Sequence, residues 1–559
     1  MEIKRERWGN RAAFVLAAIG SAAGLGNAIR FPYVAYSNGG GAFLIPYFIA
    51  LITAGIPLLI LEFAVGQKNQ AGAPTAMERV KKGFQPFGWW PVISAFIIVA
   101  YYGGIMGWIW DYLAASFTVA WGNDSGTYFV TKVLQLSDSP GNLGGFSIPV
   151  LLGIAATWLF IYFILRKGTN SVGKVVYFTV SAPIILLLIL TLRAVTLPGA
   201  ANGLNFFLRP DFSALLNLRV WIEAYAQVFF TLSLGMGIMY AYASYMPEDS
   251  DITNNALITV FANSGVSFLS GIAVFGTLGY MAHQQGVAVA DVAAGGLGLS
   301  FIVFPNAINM LPGGTIMAVI FGVVFFLTLL TLGIDSAFSL VESTVAGIVD
   351  KWGTDKHRTT LWVIVTLALI SLLYATKAGM YWVDIVDHYI NNYGLIIGGI
   401  LETVALGWFY KTDTLRGYFN PISEYKFGKW WTYMIKILPV ILIVLLINYF
   451  YGDITTLYGG YEFKYQLIGG WSLLAILFIG SFILSLTKEN ALQTIYLFGT
   501  AALITFGIAY AYMYNPLIGA AIIFIGNLFW LMFFLFTKYV KTISEVTSFN
   551  INPEQGGRL

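Results

Sequence analysis

Inside the first long apolar run of this chain lies Gly20-Ser21-Ala22-Ala23-Gly24-Leu25-Gly26-Asn27, followed by Arg30-Phe31-Pro32. Each glycine costs a helix about 1 kcal/mol relative to alanine, and Asn27 adds a polar side chain at the same depth. The flanks, Ala12 to Gly20 and beyond Ala28, are apolar enough to span a bilayer. A membrane helix broken at mid-depth frees backbone carbonyls and amides where no water reaches them, which is tolerable only where they line a site. Secondary transporters hold ions and substrate at such breaks. The competing reading is a small-xxx-small packing seam from Gly20 to Gly24. That reading accounts for neither Asn27 nor Arg30.

Of the 559 residues, 58% are hydrophobic and 10% charged, with a mean hydropathy of +0.75. Soluble domains carry about 25% charged residues, so the chain is read as an all-α polytopic membrane protein whose solvent is the lipid bilayer. A net charge of +3 gives no reason to expect a nucleic-acid partner. Cysteine is absent, which excludes disulfides, thiolate metal sites and a cysteine nucleophile. The three histidines, His283, His357 and His388, are far apart in sequence, and no His/Cys/carboxylate spacing of an enzyme appears. The basic head Lys4-Arg5-Glu6-Arg7 runs into a segment too long for a signal h-region.

Apolar runs long enough to span fall at 12–35, 41–66, 88–118, 145–165, 174–195, 220–245, 255–282, 315–349, 358–375, 383–410, 430–451, 466–487, 491–513 and 516–540. Basic clusters at Lys4/Arg5/Arg7, Arg79/Lys81/Lys82, Arg166/Lys167/Lys174, Lys351/Lys356/Arg358 and Lys411/Arg416/Lys426/Lys429 fall on one side if the spans alternate. The positive-inside rule then puts the N-terminus in the cytoplasm of a protein of the cell membrane. The acidic loop 246–251 is the exception.

A second break, Thr231-Leu232-Ser233-Leu234-Gly235-Met236-Gly237, interrupts the sixth span. Spans one and six open two five-segment halves, and paired interruptions at matching places point to an inverted-repeat transport site. Glu62, Asp335, Glu342 and Glu402 lie within apolar segments, where carboxylates are costly and usually functional or paired. Glu62 is read as a cap on amides freed by a broken helix, and Glu342 as a polar packing contact. Asp335-Ser336 follows Leu332-Gly333-Ile334, an oxygen-rich turn suited to a hard cation. A protonated carboxyl bonded to a neighbouring helix and a proton relay remain the other readings of Asp335.

The chain resembles the neurotransmitter:sodium symporters. The resemblance rests on Gly24-Leu25-Gly26-Asn27 with Arg30-Phe31-Pro32, Asn38-Gly39-Gly40-Gly41-Ala42-Phe43, Phe229-Phe230-Thr231-Leu232-Ser233 and Gly333-Ile334-Asp335-Ser336. It implies the leucine-transporter fold with a 5+5 inverted repeat over 1–410 (1–200 and 215–410), and about twelve core segments once 430–487 is included. A further hairpin at 491–540 and a cytoplasmic tail at 541–559 lie beyond the family's usual pattern. The resemblance implies a first sodium ion on Ala22, Asn27, Thr231 and Asn263. A second would lie on Gly20, Ala23, Leu332, Asp335 and Ser336. It also sets Ser267, one helical turn from Asn263, where chloride-independent members carry an acid. A chloride held by Tyr47, Gln227, Thr231 and Ser267 would supply the missing negative charge beside two sodium ions. In the competing reading Ser267 only packs.

Gly24 stands where monoamine carriers have Asp, which implies a substrate that brings its own carboxylate. That carboxylate would meet the Leu25 and Gly26 amides and the Tyr102 hydroxyl, since freed amides suit anions. The ammonium would meet Ala22, Phe230, Thr231 and Ser233. The side chain would lie among Ile98, Tyr102, Phe230, Met236, Ser336 and Leu340, where a charge would be left unpaired. The resemblance also implies an outer gate, Arg30 with Asp387, and an inner gate, Arg5 with Asp350. The chain is therefore read as a sodium-coupled, chloride-dependent symporter of neutral, small to mid-sized aliphatic amino acids and not an enzyme. A non-transporting amino-acid sensor on the same fold and a proton-coupled carrier using Asp335 are the alternatives.

Overall fold

The structure is a computed structural model that describes residues 5–486, except 167 and 294. The expected hairpin at 491–540 and tail at 541–559 lie outside the described residues. Among the described residues there are helices and no strands.

The first span is two helices, α1 (Arg11–Ala22) and α2 (Phe31–Ser37), bent by 47° across the glycine-rich stretch. Asn10 caps α1, its side chain accepting from the Ala13 amide at 2.8 Å. The backbone leaves helical geometry at Ala23 (ψ 79°) and resumes through a π-turn, Gly26–Arg30, that leads into Pro32 in the first turn of α2. Proline suits that position because the first-turn amides have no intrahelical partner anyway.

Four unbroken spans follow: α3 (Gly41–Asn69), α4 (Gln85–Ser116), α5 (Ile148–Leu165) and α6 (Thr169–Val195). The sixth span is again two pieces, α7 (Leu218–Thr231) and α8 (Ile238–Ala243). Then come α9 (Thr253–Gln285), α10 (Gly314–Trp352), α11 (Lys356–Ser371), α12 (Gly379–Gly407), α13 (Thr412–Ile422), α14 (Lys429–Thr455) and α15 (Phe463–Ser485). The chain turns by 87° between α12 and α13. Among the described residues nine helices cross unbroken by length and composition, and the bent spans add to these. Two short helices, Ala200–Leu208 and Gly296–Asn309, were not expected from the sequence; the first packs on α9.

The two breaks come at matching places, at the head of each five-span half. The long helices α4 and α10 pack along one another, and α1 leans on α6, α9 and α10 while touching α8. The broken spans are therefore enclosed by intact ones, and the freed backbone is buried in protein rather than exposed to lipid.

Candidate functional site

At the first break the Gly24 amide does not reach back to Gly20, as it would in a continuing helix. It donates instead to the Ala22 carbonyl at 3.0 Å and to Asn27 Oδ1 at 3.0 Å. At the second break Ser233, Gly235 and Gly237 all have positive φ (53°, 68° and 69°). Glycine takes that conformation without steric cost, whereas Ser233 does so at about 1–2 kcal/mol. The Ser233 hydroxyl crosses to the other break and donates to the Ser21 carbonyl at 2.9 Å. Ser336 on α10 donates to the same carbonyl at 3.3 Å. Glu62 accepts from the Gly235 amide at 2.8 Å, so a carboxylate on α3 caps the second break.

Between the breaks, Asn27 Nδ2 is shared by the Asn263 carbonyl (3.1 Å), Asn263 Oδ1 (2.7 Å) and Ser267 Oγ (2.8 Å). All three residues are fully buried. The Asn263 amide also stands 3.1 Å from the Ala22 carbonyl oxygen and 3.2 Å from that of Thr231. Turned one way it donates its N–H groups to those carbonyls. Turned the other way, its oxygen and two carbonyl oxygens converge with no proton between them, an arrangement that a hard cation satisfies. Of the set expected of the first sodium, Ala22, Thr231 and Asn263 thus meet at one point, while Asn27 turns its Nδ2 toward Asn263 and its Oδ1 to the Gly24 amide.

The second set meets between α1 and α10. A Cβ built on Gly20 would lie 2.7 Å from Asp335 Oδ2, so the two elements touch there. Asp335 is 1% exposed and its Oδ1 has no partner among the described residues. The Ser336 hydroxyl also approaches the Leu332 carbonyl at 3.4 Å. Ala23, whose carbonyl belongs to the same set, is the residue at which α1 leaves helical geometry. A buried, half-unpartnered carboxylate next to freed carbonyls fits a cation.

Gln227, on α7, is fully buried with both ends of its amide unpartnered. An orphaned amide costs about 1–3 kcal/mol, so the Gln227 amide has an N–H to offer a bound anion. The rest of the expected chloride set is close by: α7 packs on the helix carrying Tyr47, and the Thr231 hydroxyl donates to the Gln227 carbonyl at 2.9 Å. Tyr47 shares its hydroxyl with Ser264 at 3.0 Å, while Ser267 receives Asn27.

A cavity of about 1140 Å³ leads to this centre from the side of residues 211–219, 295–298 and 458–461. Of the expected substrate residues, Leu25, Gly26, Ile98, Tyr102 and Phe230 line it. Ala22, Thr231, Ser233, Met236, Ser336 and Leu340 do not; they lie deeper, around the breaks. Close approach explains two glycines: a Cβ on Gly24 would fall 2.4 Å from Ser336 Oγ, and one on Gly26 would fall 2.5 Å from Phe230 Cε1.

Arg30 and Asp387 both line the cavity but are not paired with each other. Arg30 stands 3.6 Å from Glu223 and over the Phe230 ring at 5.4 Å, while Asp387 accepts from Tyr101 (2.6 Å) and Asn391 (2.8 Å). The expected outer pair is therefore apart here, which suits an open mouth.

The opposite end is shut. Arg5 contacts Asp350 and Ser244 and lies over Tyr245, and Trp8 Nε1 donates to the Tyr242 carbonyl at 2.9 Å. Lys356 joins Glu342 (2.7 Å) to Glu6 (2.8 Å), so Glu342 is the partner of a lysine rather than a mere packing contact. Burial works against the Glu6 carboxylate, but the Lys356 ammonium and the Thr169 amide outweigh it and hold its pKa below the usual value. Glu223 and Asn391 escaped the sequence analysis, and Lys356 entered it only as one member of a basic loop. The helical signal that could have found Glu223 is its place one turn before Gln227 and two before Phe230. Lys356 meets Glu342 only through the turn between α10 and α11, which leaves no such signal.

A family model described as "Sodium:neurotransmitter symporter family" matches residues 5–125 and 121–489. An uncharacterized sodium-dependent transporter of Methanocaldococcus jannaschii is 42% identical over 488 residues, 87% of this chain and 98% of that protein. The sodium- and chloride-dependent GABA transporter 2 of Mus musculus is 36% identical, covering 76% of each chain. The human sodium- and chloride-dependent taurine transporter is 34% identical, over 79% of this chain and 77% of its own.

Proposed function

The chain belongs to the sodium:neurotransmitter symporter family, and from that premise we propose that it couples sodium and chloride to the uptake of neutral, small to mid-sized aliphatic amino acids. Membership makes it a multi-pass, sodium-dependent symporter with the leucine-transporter fold, and not an enzyme. The finer reading places it in the cell membrane with its N-terminus in the cytoplasm. Two sodium ions would occupy the Asn27/Asn263 and Asp335/Ser336 centres, with chloride beside Gln227. Gly24 carries the substrate argument. With no side-chain carboxylate there, and with Ser336 Oγ filling the space of a Cβ, the first sodium is completed by an acid group that the substrate brings.

Transport follows from alternating access. In the observed form the cavity is open on one side, and the Arg5–Asp350 and Lys356 contacts close the other. Ions and substrate that bind the closed-mouth form more tightly would shift the population toward it. The GABA- and taurine-carrying relatives favour a second reading, in which amine and acid are separated by more atoms than in an α-amino acid. In both readings the substrate is a small zwitterion.

Uptake of labelled alanine, leucine, GABA and taurine into proteoliposomes under an inward sodium gradient decides the matter, with chloride present or replaced by gluconate. Sodium-driven accumulation of alanine or leucine that falls without chloride is the expected result. Accumulation of GABA or taurine alone would replace the substrate class. Uptake indifferent to chloride would remove the chloride site.

A further inference from the structure

Four groups at the cavity mouth form a set that no ligand reading uses. Arg30 lies at the end of the first π-turn and can reach two carboxylates on two different spans. One is Glu223 on α7, at 3.6 Å. The other is Asp387 on α12, which lines the same cavity and is already satisfied by Tyr101 and Asn391. Asn391 gives its Nδ2 to Asp387, yet its Oδ1 is buried with no donor. Asn391 also lines a small cavity together with Arg30, Phe230 and Asn392. Arg219 lines the same wall and makes no ion pair among the described residues, so it does not compete for Glu223.

A guanidinium has five donors in a rigid fork and serves two acceptors at once. In the observed form Glu223 is the one carboxylate paired with it among the described residues, at 3.6 Å, longer than a good hydrogen bond. On the far side wait a carboxylate and an amide oxygen that lacks a donor.

We propose that Glu223 holds Arg30 while the mouth is open, and that Arg30 passes to Asp387 and Asn391 as it closes. Glu223 and Asn391 are then positioning residues for opposite ends of one movement. Because Arg30 exchanges one carboxylate for another, its guanidinium keeps an anionic partner in both states, while Tyr101 and Asn391 hold Asp387 when Arg30 is away. The proposal rests on the alternating-access reading above but not on the identity of the substrate.

The absence of cysteine makes the test direct. A single cysteine replaces Ile105, on the cavity wall one helical turn from Tyr101 and Tyr102. Its labelling rate by a charged methanethiosulfonate is read in proteoliposomes with sodium and no amino acid. Glu223→Gln, which removes the open-state anchor and keeps the shape, should slow labelling by about fivefold, as expected for a partly exposed pair. Glu223→Asp, which keeps the carboxylate, should restore most of the rate. Adding Asn391→Ala to Glu223→Gln should return labelling toward the parent rate by weakening the closed-state partner. Parent-like labelling of Glu223→Gln, or no recovery in the double variant, overturns the proposal. Neither result depends on whether alanine, leucine, GABA or taurine is carried, so uptake and gating can fail separately.

Discussion

Replacing Lys356 by Met should open the sealed end of the protein. Its ammonium lies 2.7 Å from Glu342 and 2.8 Å from Glu6, and Glu342 has one other donor, the Tyr245 hydroxyl at 2.6 Å. The Glu342 side chain is 3% exposed and its second oxygen has no partner. Removing one member of a buried ion pair costs about 3–5 kcal/mol because the other charge is stranded. The sealed state should therefore lose about 3–5 kcal/mol relative to an opened one that water enters, a shift of roughly 10²–10⁴ in population.

Hydrogen exchange reads this without a substrate. The Trp8 amide donates to the Tyr245 carbonyl at 3.2 Å across the seal, so a peptide covering residues 5–14 should lose protection by that factor in Lys356→Met. The double variant Lys356→Met/Glu342→Gln removes both charges and should recover most of the protection. Unchanged exchange in the single variant would refute the reasoning. So would a double variant as open as the single one, because stranded charge would then not be the cause.

Three further outcomes follow from the same geometry. Gly24→Ala places a methyl 2.4 Å from Ser336 Oγ, so the apparent affinity for sodium and substrate should fall at least about tenfold, the effect of about 1.4 kcal/mol, in sodium-dependence curves of uptake. Gln227→Leu removes an amide with no partner; melting in chloride-free buffer should be unchanged or raised, while any stabilisation by added chloride disappears. Glu6, whose pKa is lowered by Lys356 and the Thr169 amide against its burial, stabilises the seal while ionised. A lowered value means that this contribution is present above the ordinary glutamate range and is lost as pH falls through the lower folded value. Exchange of the 5–14 peptide, corrected for its intrinsic pH dependence, should rise below about pH 4, and Glu6→Gln should abolish the step.

What the sequence made legible was local or periodic. Glycine clusters announced both breaks, and at the first one a packing seam would have left Asn27 and Arg30 without a reason. A carboxylate as apolar-bound as Glu62 had to find donors, and the Gly235 amide is one. The positive φ of Ser233 was not legible, since serine carries no general signal for that conformation; its hydroxyl bond to Ser21, on the other break, accompanies it. The resting partner of Arg30 was not legible either. Charge alone allows both Glu223 and Asp387, and only the conformation selects between them. Glu342 read as featureless because its lysine sits beyond the end of α10, where no helical spacing relates the two.

The two ends of the transport path are held with unequal strength, and this sets which of them gives way more readily. At the sealed end Arg5–Asp350, Lys356–Glu342 and Lys356–Glu6 join the N-terminal segment, α10 and α11, with Glu342 almost wholly buried. At the mouth, the pair that would close it is apart, and Arg30, itself 31% exposed, is held by one ion pair of 3.6 Å to Glu223 and by the Phe230 ring at 5.4 Å. Exposed pairs contribute about 0–1 kcal/mol, whereas stranding a buried one costs several. Closing the mouth therefore needs little, and opening the seal needs much. The energy to break the seal then has to come from ligands that bind the mouth-closed form better than the open one, and the half-unpartnered Asp335 and the converging oxygens at Asn263 are where such a difference in affinity is available.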